Sequence, residues 1–192
     1  MRAVAGLVSD LRVGDGISLE ARLAKLERAV EAQRREGTLI LLSSGDYDQV
    51  HKGLSLATGA ASMGQDVHVF VTLWATAALR RPDPPSRVRG WVERVFGWLL
   101  PKGAGALSLS RMHFGGAGTA MMRRRMSDKG IPDCAELLEM AREAGVRISV
   151  CEMTMDLLGL NRADLIDYPG LELCGVATFT AAAGTSATTL VI

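Results

Sequence analysis

Between residues 38 and 73 the hydrophobic period of the chain changes twice, and that alternation restricts the fold more than any other feature. Thr38-Leu39-Ile40-Leu41-Leu42-Ser43-Ser44 is a short, continuous apolar run bounded by polar residues. Such a run suits a strand covered on both faces. Gly45-Asp46 then opens a segment in which Val50, Leu54, Ala57 and Ala61 share one helical face, and Met63-Gly64 closes it. A second strand, Val67 to Leu73, follows at once. Strand, helix and strand in so short a span form a βαβ unit, which requires parallel pairing and a right-handed crossover.

The remainder repeats this alternation. Asp133 and Glu136 stand in capping-box spacing ahead of Leu137, Leu138 and Ala141, which predicts a helix over about 133–144, ended by Gly145. Arg147 to Val150 reads as the next strand, and a turn of helix is expected at about 155–160. Cys174 to Ala177 reads as a short strand, an Ala-rich segment follows, and Thr189 to Ile192 reads as the last strand. The fold class is therefore α/β, an open and mostly parallel sheet with helices on both faces.

Residues 17–36 follow a different rule. Leu19, Leu23, Leu26 and Val30 form a heptad seam among Arg, Lys and Glu. The seam is shorter than three heptads, so it is either an amphipathic helix docked on its own domain or an oligomerisation helix. With 192 residues there is room for one domain and an additional segment. The division expected is 1–37 as an N-terminal helical extension and 38–192 as the α/β domain.

Three prolines in PDPPSRVRG, residues 82–90, mark an irregular connection. Trp91, Val95, Trp98 and Leu99 then fall on one side of a short helix that Pro101 stops. This helix is read as a cover for the core or as a face for a partner or membrane surface. Residues 102–130, rich in Gly, Met and Arg, read as the least regular part of the domain. Within them Arg123-Arg124-Arg125, flanked by methionines, is a solvated face or a docking surface for an anion or acidic partner. Neither Gly45-Asp46 nor Gly115-Gly116-Ala117-Gly118-Thr119 has the spacing of a nucleotide-binding loop.

Charge excludes some functions. Basic residues number 22 and acidic residues 21, so no overall field draws the chain to nucleic acid or to an anionic membrane. The longest apolar run, Val67 to Leu79, is short of the roughly 20 residues a membrane span needs. The N-terminus, broken by Asp10 and Arg12, makes a poor signal peptide, so a cytoplasmic location is expected. Three widely spaced cysteines with no CxxC predict neither a disulfide scaffold nor a metal site, and no cofactor is expected.

The chemistry therefore rests on Cys151, at the point where the strand Arg147 to Val150 gives way to helix. In parallel sheets, reaction sites gather at the carboxyl ends of the strands. Backbone N–H groups of a following helix favour a thiolate, which can attack a sulfane sulfur or a peroxide. The competing reading is a small buried hydrophobe, the usual fate of a free cysteine. Cys134 lies near the apolar face of its helix and reads as core. Cys174 is either core or a resolving thiol that meets Cys151. Peroxidase chemistry is disfavoured because no general acid or base is evident beside Cys151. His51, His68 and His113 are scattered and suggest no triad.

Three blocks in order, "LLSSGDYDQVHKGLSLATGAASMGQDVHVFVTLW", "LPKGAGALSLSRMHFGGAGTAMM" and "VRISVCEMTMDLLGL…LCGVATF", resemble the DsrE/DsrF-like family, specifically its longer second subfamily with a Met- and Gly-rich insertion. The likeness runs from about residue 38 to the C-terminus. It implies a DsrE-like fold, homo-oligomerisation and sulfur handling, with Cys151 matching the cysteine that holds a persulfide and relays it between rhodanese-like and TusA-like proteins. Cys174 stands where the family pattern has a glycine. The expected function is a sulfurtransferase or sulfur carrier acting through Cys151, with Met153, Met155, Asp156, Gly45, Asp46, Arg111 and His113 as candidates to line its pocket. The alternative is a non-catalytic interaction module built on the N-terminal helix and the Trp91/Trp98 helix.

Overall fold

The structure is a computed structural model that describes residues 23–25, 27, 37–84, 90–111 and 114–192. The chain divides into two units, Met1–Arg34 and Arg35–Ile192. In the first unit the described residues, 23–25 and 27, are helical. Leu19, Leu26 and Val30 of the heptad seam lie outside the described residues.

The second unit carries a five-stranded sheet made of β1 (Thr38–Leu42), β2 (Val67–Val71), β3 (Arg147–Cys151), β4 (Glu172–Cys174) and β5 (Thr188–Val191). Their order is β4-β3-β2-β1-β5, and every pairing is parallel. The helices are α1 (Tyr47–Ser62), α2 (Trp91–Leu99), α3 (Ala117–Asp128), α4 (Cys134–Glu143), α5 (Glu152–Leu158) and α6 (Val176–Thr185). A run of 3-10 helix, Leu73–Leu79, follows β2.

Alternation along the strands sorts the residues onto two faces. Ile40, Leu42, Val67, Val69, Val71, Ile148 and Val150 point to one face and are buried there. Val50, Leu54 and Ala57 of α1 and Leu137 and Ala141 of α4 join the same core. Each such aliphatic side chain contributes about 1.5–3 kcal/mol on burial, so the central strands β1, β2 and β3 dominate the stability of the sheet. The opposite face carries Leu39, Leu41, His68, Phe70, Ser149 and Cys151, and α6 runs over it. There the Phe70 and Phe179 rings meet with centroids 5.3 Å apart.

Several boundaries differ from the sequence reading. α5 begins directly after Cys151 instead of three residues later, because Cys151 itself is the N-cap, and Gly159 closes the helix in the left-handed conformation at φ 62°. The strand expected at Cys174 to Ala177 is Glu172–Cys174, and Val176 already belongs to α6 with Gly175 as its N-cap. Part of the Gly-, Met- and Arg-rich stretch is regular, since α3 spans twelve of its residues. In α2 the inward residues are not the predicted set: Trp91, Val95, Trp98 and Leu99 are exposed, whereas Phe96 and the following Leu100 pack against the core.

Candidate functional site

β3 delivers Cys151 to the carboxyl end of the sheet, where the backbone leaves the strand at φ −67°, ψ 118° and enters α5. The side chain is completely buried and accepts no capping hydrogen bond from the helix. Three residues on, Thr154 is also fully buried. Its Oγ1 lies 3.0 Å from Thr72 Oγ1 and accepts the Leu73 N–H at 3.0 Å. The first turn of α5 is thereby tied to the end of β2. Leu73 is one of two non-glycine residues among those described with positive φ, at 48°. A conformation of that kind costs about 1–3 kcal/mol, and the Thr154 bond helps to hold it.

Cys174 ends β4 at the edge of the sheet and is the register partner of Cys151. Register partners on parallel strands present their side chains on the same face. All three cysteines are free thiols, with Cys134 and Cys151 buried and Cys174 half-buried. Cys134 occupies a different place: it opens α4 and donates its thiol to the Tyr47 carbonyl oxygen at 3.5 Å. Burial, reinforced by the Asp133 carboxylate, pushes that thiol up to about 12.

The other predicted site residues are spread over several surroundings. Gly45 and Asp46 line a cleft of about 230 Å³ at the end of β1, together with Ser44, Trp74, Leu100, Pro101 and Ser108. A Cβ at Gly45 would come within 2.6 Å of the Trp74 carbonyl oxygen, so the close approach of these two loops requires glycine. Met153 and Asp156 are on the exposed surface of α5, whereas Met155 is buried in the core with Leu158. Arg111 is exposed in the loop whose preceding residue, Ser110, donates its N–H and hydroxyl to the Asp48 carboxylate at 2.9 and 2.8 Å. Burial raises the Asp48 carboxyl, but the hydrogen bonds it accepts, those from Ser110 foremost and one from Gln49 among the rest, outweigh it and hold it below the ordinary carboxylate range. His113 lies outside the described residues.

A cavity of about 430 Å³ between α6 and the sheet was not foreseen. His68, Arg147, Ser149, Glu172 and Thr178 are among its lining residues. His68 Nε2 and Ser149 Oγ are 2.7 Å apart. Burial lowers the His68 pKa, with the Arg147 charge adding to the effect. Alternation in β3 puts Ser149 on the face of Cys151, and that period was readable; the partnership with His68 depends on the β2–β3 register and was not. Arg123, in α3, lies over the Tyr47 ring at 4.8 Å. Arg123 also lines a larger cavity of about 760 Å³ with Ser127, Asp133, Glu136 and Met140.

Among the described residues, no helix is long and apolar enough to cross a membrane.

Comparison with known proteins places the chain within a family. The model of the DsrE/DsrF/DrsH-like family matches residues 34–191. A protein of Bacillus subtilis (strain 168) with the name uncharacterized protein YrkE is 38% identical over 149 residues, covering 78% of this chain and 92% of that one. The sulfur carrier protein DsrE2 of Allochromatium vinosum is 32% identical over 148 residues, covering 77% of this chain and 92% of its own. Among solved structures, the ychN protein from E. coli covers 82% of this chain and 99% of its own at 15% identity and a TM-score of 0.49. The matched span contains the whole sheet, Cys151 and Cys174, and the chain belongs to the DsrE/DsrF/DrsH-like family.

Proposed function

We propose that the protein is a cytoplasmic sulfur carrier in which Cys151 holds a persulfide and hands its outer sulfur to a partner protein. The observation that carries this reading is the position of Cys151 at the carboxyl end of β3, as the residue that opens α5. Parallel sheets gather their reaction sites at those ends. The family match and the sulfur carrier relative both support a relay role. A thiolate at Cys151 attacks the sulfane sulfur of a donor persulfide, the donor leaves as its own thiolate, and Cys151 becomes the persulfide. The reverse attack, by an acceptor thiolate on the outer sulfur, restores Cys151. The chemistry requires a sulfane donor and a thiolate acceptor, and the family resemblance makes rhodanese-like donors and TusA-like acceptors the partners proposed.

Incubation with a persulfidated rhodanese-like protein tests the reading. Intact mass taken immediately after mixing should show one added sulfur on the wild type and on Cys134→Ser, and none on Cys151→Ser. Equal uptake by Cys151→Ser would refute it.

A second reading, a non-catalytic interaction module, draws on the exposure of Trp91 at 74% and Trp98 at 84% on α2. It predicts partner binding that survives Cys151→Ser and is lost when both tryptophans are replaced by Ser.

A further inference from the structure

We propose that Cys174 is a resolving thiol that closes a disulfide with Cys151 and so releases the carried sulfur as sulfide. The inference rests on the reading of Cys151 as a persulfide carrier, and it adds a second outcome to that site. Cys151 and Cys174 are partners in the β3–β4 register. Adjacent strands lie about 4.8 Å apart, inside the Cα separation of about 4.4–6.8 Å that a disulfide spans and slightly beyond its usual Cβ separation of about 3.5–4.5 Å. Closure therefore needs a small lateral shift of one strand. β4 is suited to supply it, being a three-residue strand at the sheet edge, paired only on the β3 side. Of the two cysteines, Cys151 is sealed and Cys174 is half-buried.

The same geometry selects which sulfur is attacked. Register fixes Cys151 Sγ, the inner sulfur of the persulfide, beside Cys174. The Cys174 thiolate attacks that atom, the bond between the inner and outer sulfurs breaks, and the outer sulfur departs as hydrosulfide. One S–S bond forms and one is lost; the two cysteine sulfurs are oxidised to a disulfide while the sulfane sulfur is reduced to sulfide. The Cys174 proton leaves with the hydrosulfide. Hydrosulfide is a weaker base than an alkyl thiolate, and the thiol of lower pKa is the better leaving group. A dithiol reductant returns the pair to its starting state. Donation to an acceptor and release as sulfide are then competing fates of one persulfide, decided by whether an acceptor arrives first.

The full-length wild type, Cys174→Ser and Cys151→Ser are loaded with inorganic polysulfide, desalted without reductant under anaerobic conditions, and followed by sulfide assay and peptide mass mapping. The wild type is expected to release one equivalent of sulfide and to yield a linked Cys151–Cys174 peptide pair. Cys174→Ser is expected to keep its sulfur on Cys151, with sulfide release slower by about tenfold or more. Equal persulfide lifetimes in the wild type and Cys174→Ser would overturn the proposal. So would sulfur recovered on Cys174 with Cys151 as free thiol, which marks attack on the outer atom. If Cys151 takes up no sulfur in any variant, the carrier reading fails by itself, and diamide oxidation of the wild type decides the pairing. An intramolecular 151–174 link then supports the resolving role, and links only between chains overturn it.

Discussion

Cys134 is occupied as a donor to a backbone carbonyl and raised by burial out of the reactive range, so it serves the core. Cys151 is equally sealed but has a second thiol beside it in register. On the proposed reading, that difference between two buried cysteines separates packing from chemistry. His68 makes a testable contribution at the same scale. Burial holds its folded pKa below the ordinary histidine value of about 6.5, so the native state binds fewer protons than the unfolded chain as the medium is acidified. The native state is therefore unaffected by this group above about pH 6.5 and loses stability as pH falls from there toward the lowered folded value, because acid charges the unfolded imidazole first. Urea unfolding of the wild type between pH 7.5 and 5.5 is expected to show a steeper loss of stability than His68→Gln. Parallel pH profiles would contradict this. The placement of Cys151 was legible because the strand period breaks there. Its pairing with Cys174 was not, since a 20-residue connection from Glu152 to Leu171 leaves the lateral register undetermined.

The elements that sequence defined best are those with local signals. In α4, Asp133 Oδ1 accepts the Ala135 and Glu136 N–H groups at 2.8 and 2.9 Å, while Glu136 Oε2 accepts the Asp133 N–H at 2.8 Å. Asp133→Ala is expected to cost about 1 kcal/mol of stability in urea titration while leaving sulfur loading unchanged. A loss of loading in a folded Asp133→Ala protein would mean that α4 bears on the site. Other elements were obscured by competing signals. Val176 and Thr178 carry strand propensity, but Gly175 caps a helix that the alanines at 181–183 then sustain. α3 was concealed by its glycines and polar arginines. Its buried residues, Gly118, Thr119 and Met126, do share one helical face, but only Met126 among them is a large apolar residue, so the sequence shows no apolar stripe to mark the helix. In α2 the exposed tryptophans suggested the wrong inward face, because the core takes Phe96 and Leu100 instead.

Over the whole molecule the sheet is covered unequally. α1 and α4 join the core on one face, whereas α6 runs over the other with no residue of its own buried, and Val176 and Val191 are 53% and 71% exposed. An apolar helix that no other described residue covers is the kind of surface a second copy would bury. Light scattering is expected to show a dimer or larger assembly that Val191→Asp weakens; a wild-type monomer at micromolar concentration would contradict this. The α/β class and the parallel sheet were legible from the βαβ period, whereas the unequal cover was not, because it depends on which face α6 crosses. The central claim, that Cys151 carries sulfane sulfur, meets its most direct test in site-resolved mass mapping of the wild type and Cys151→Ser after brief exposure to polysulfide, with alkylation of remaining thiols. The account predicts a reductant-labile sulfur on the Cys151 peptide, with Cys134 unmodified and no uptake in the variant; an unmodified Cys151 that resists alkylation until the protein unfolds would contradict it and return that residue to the core.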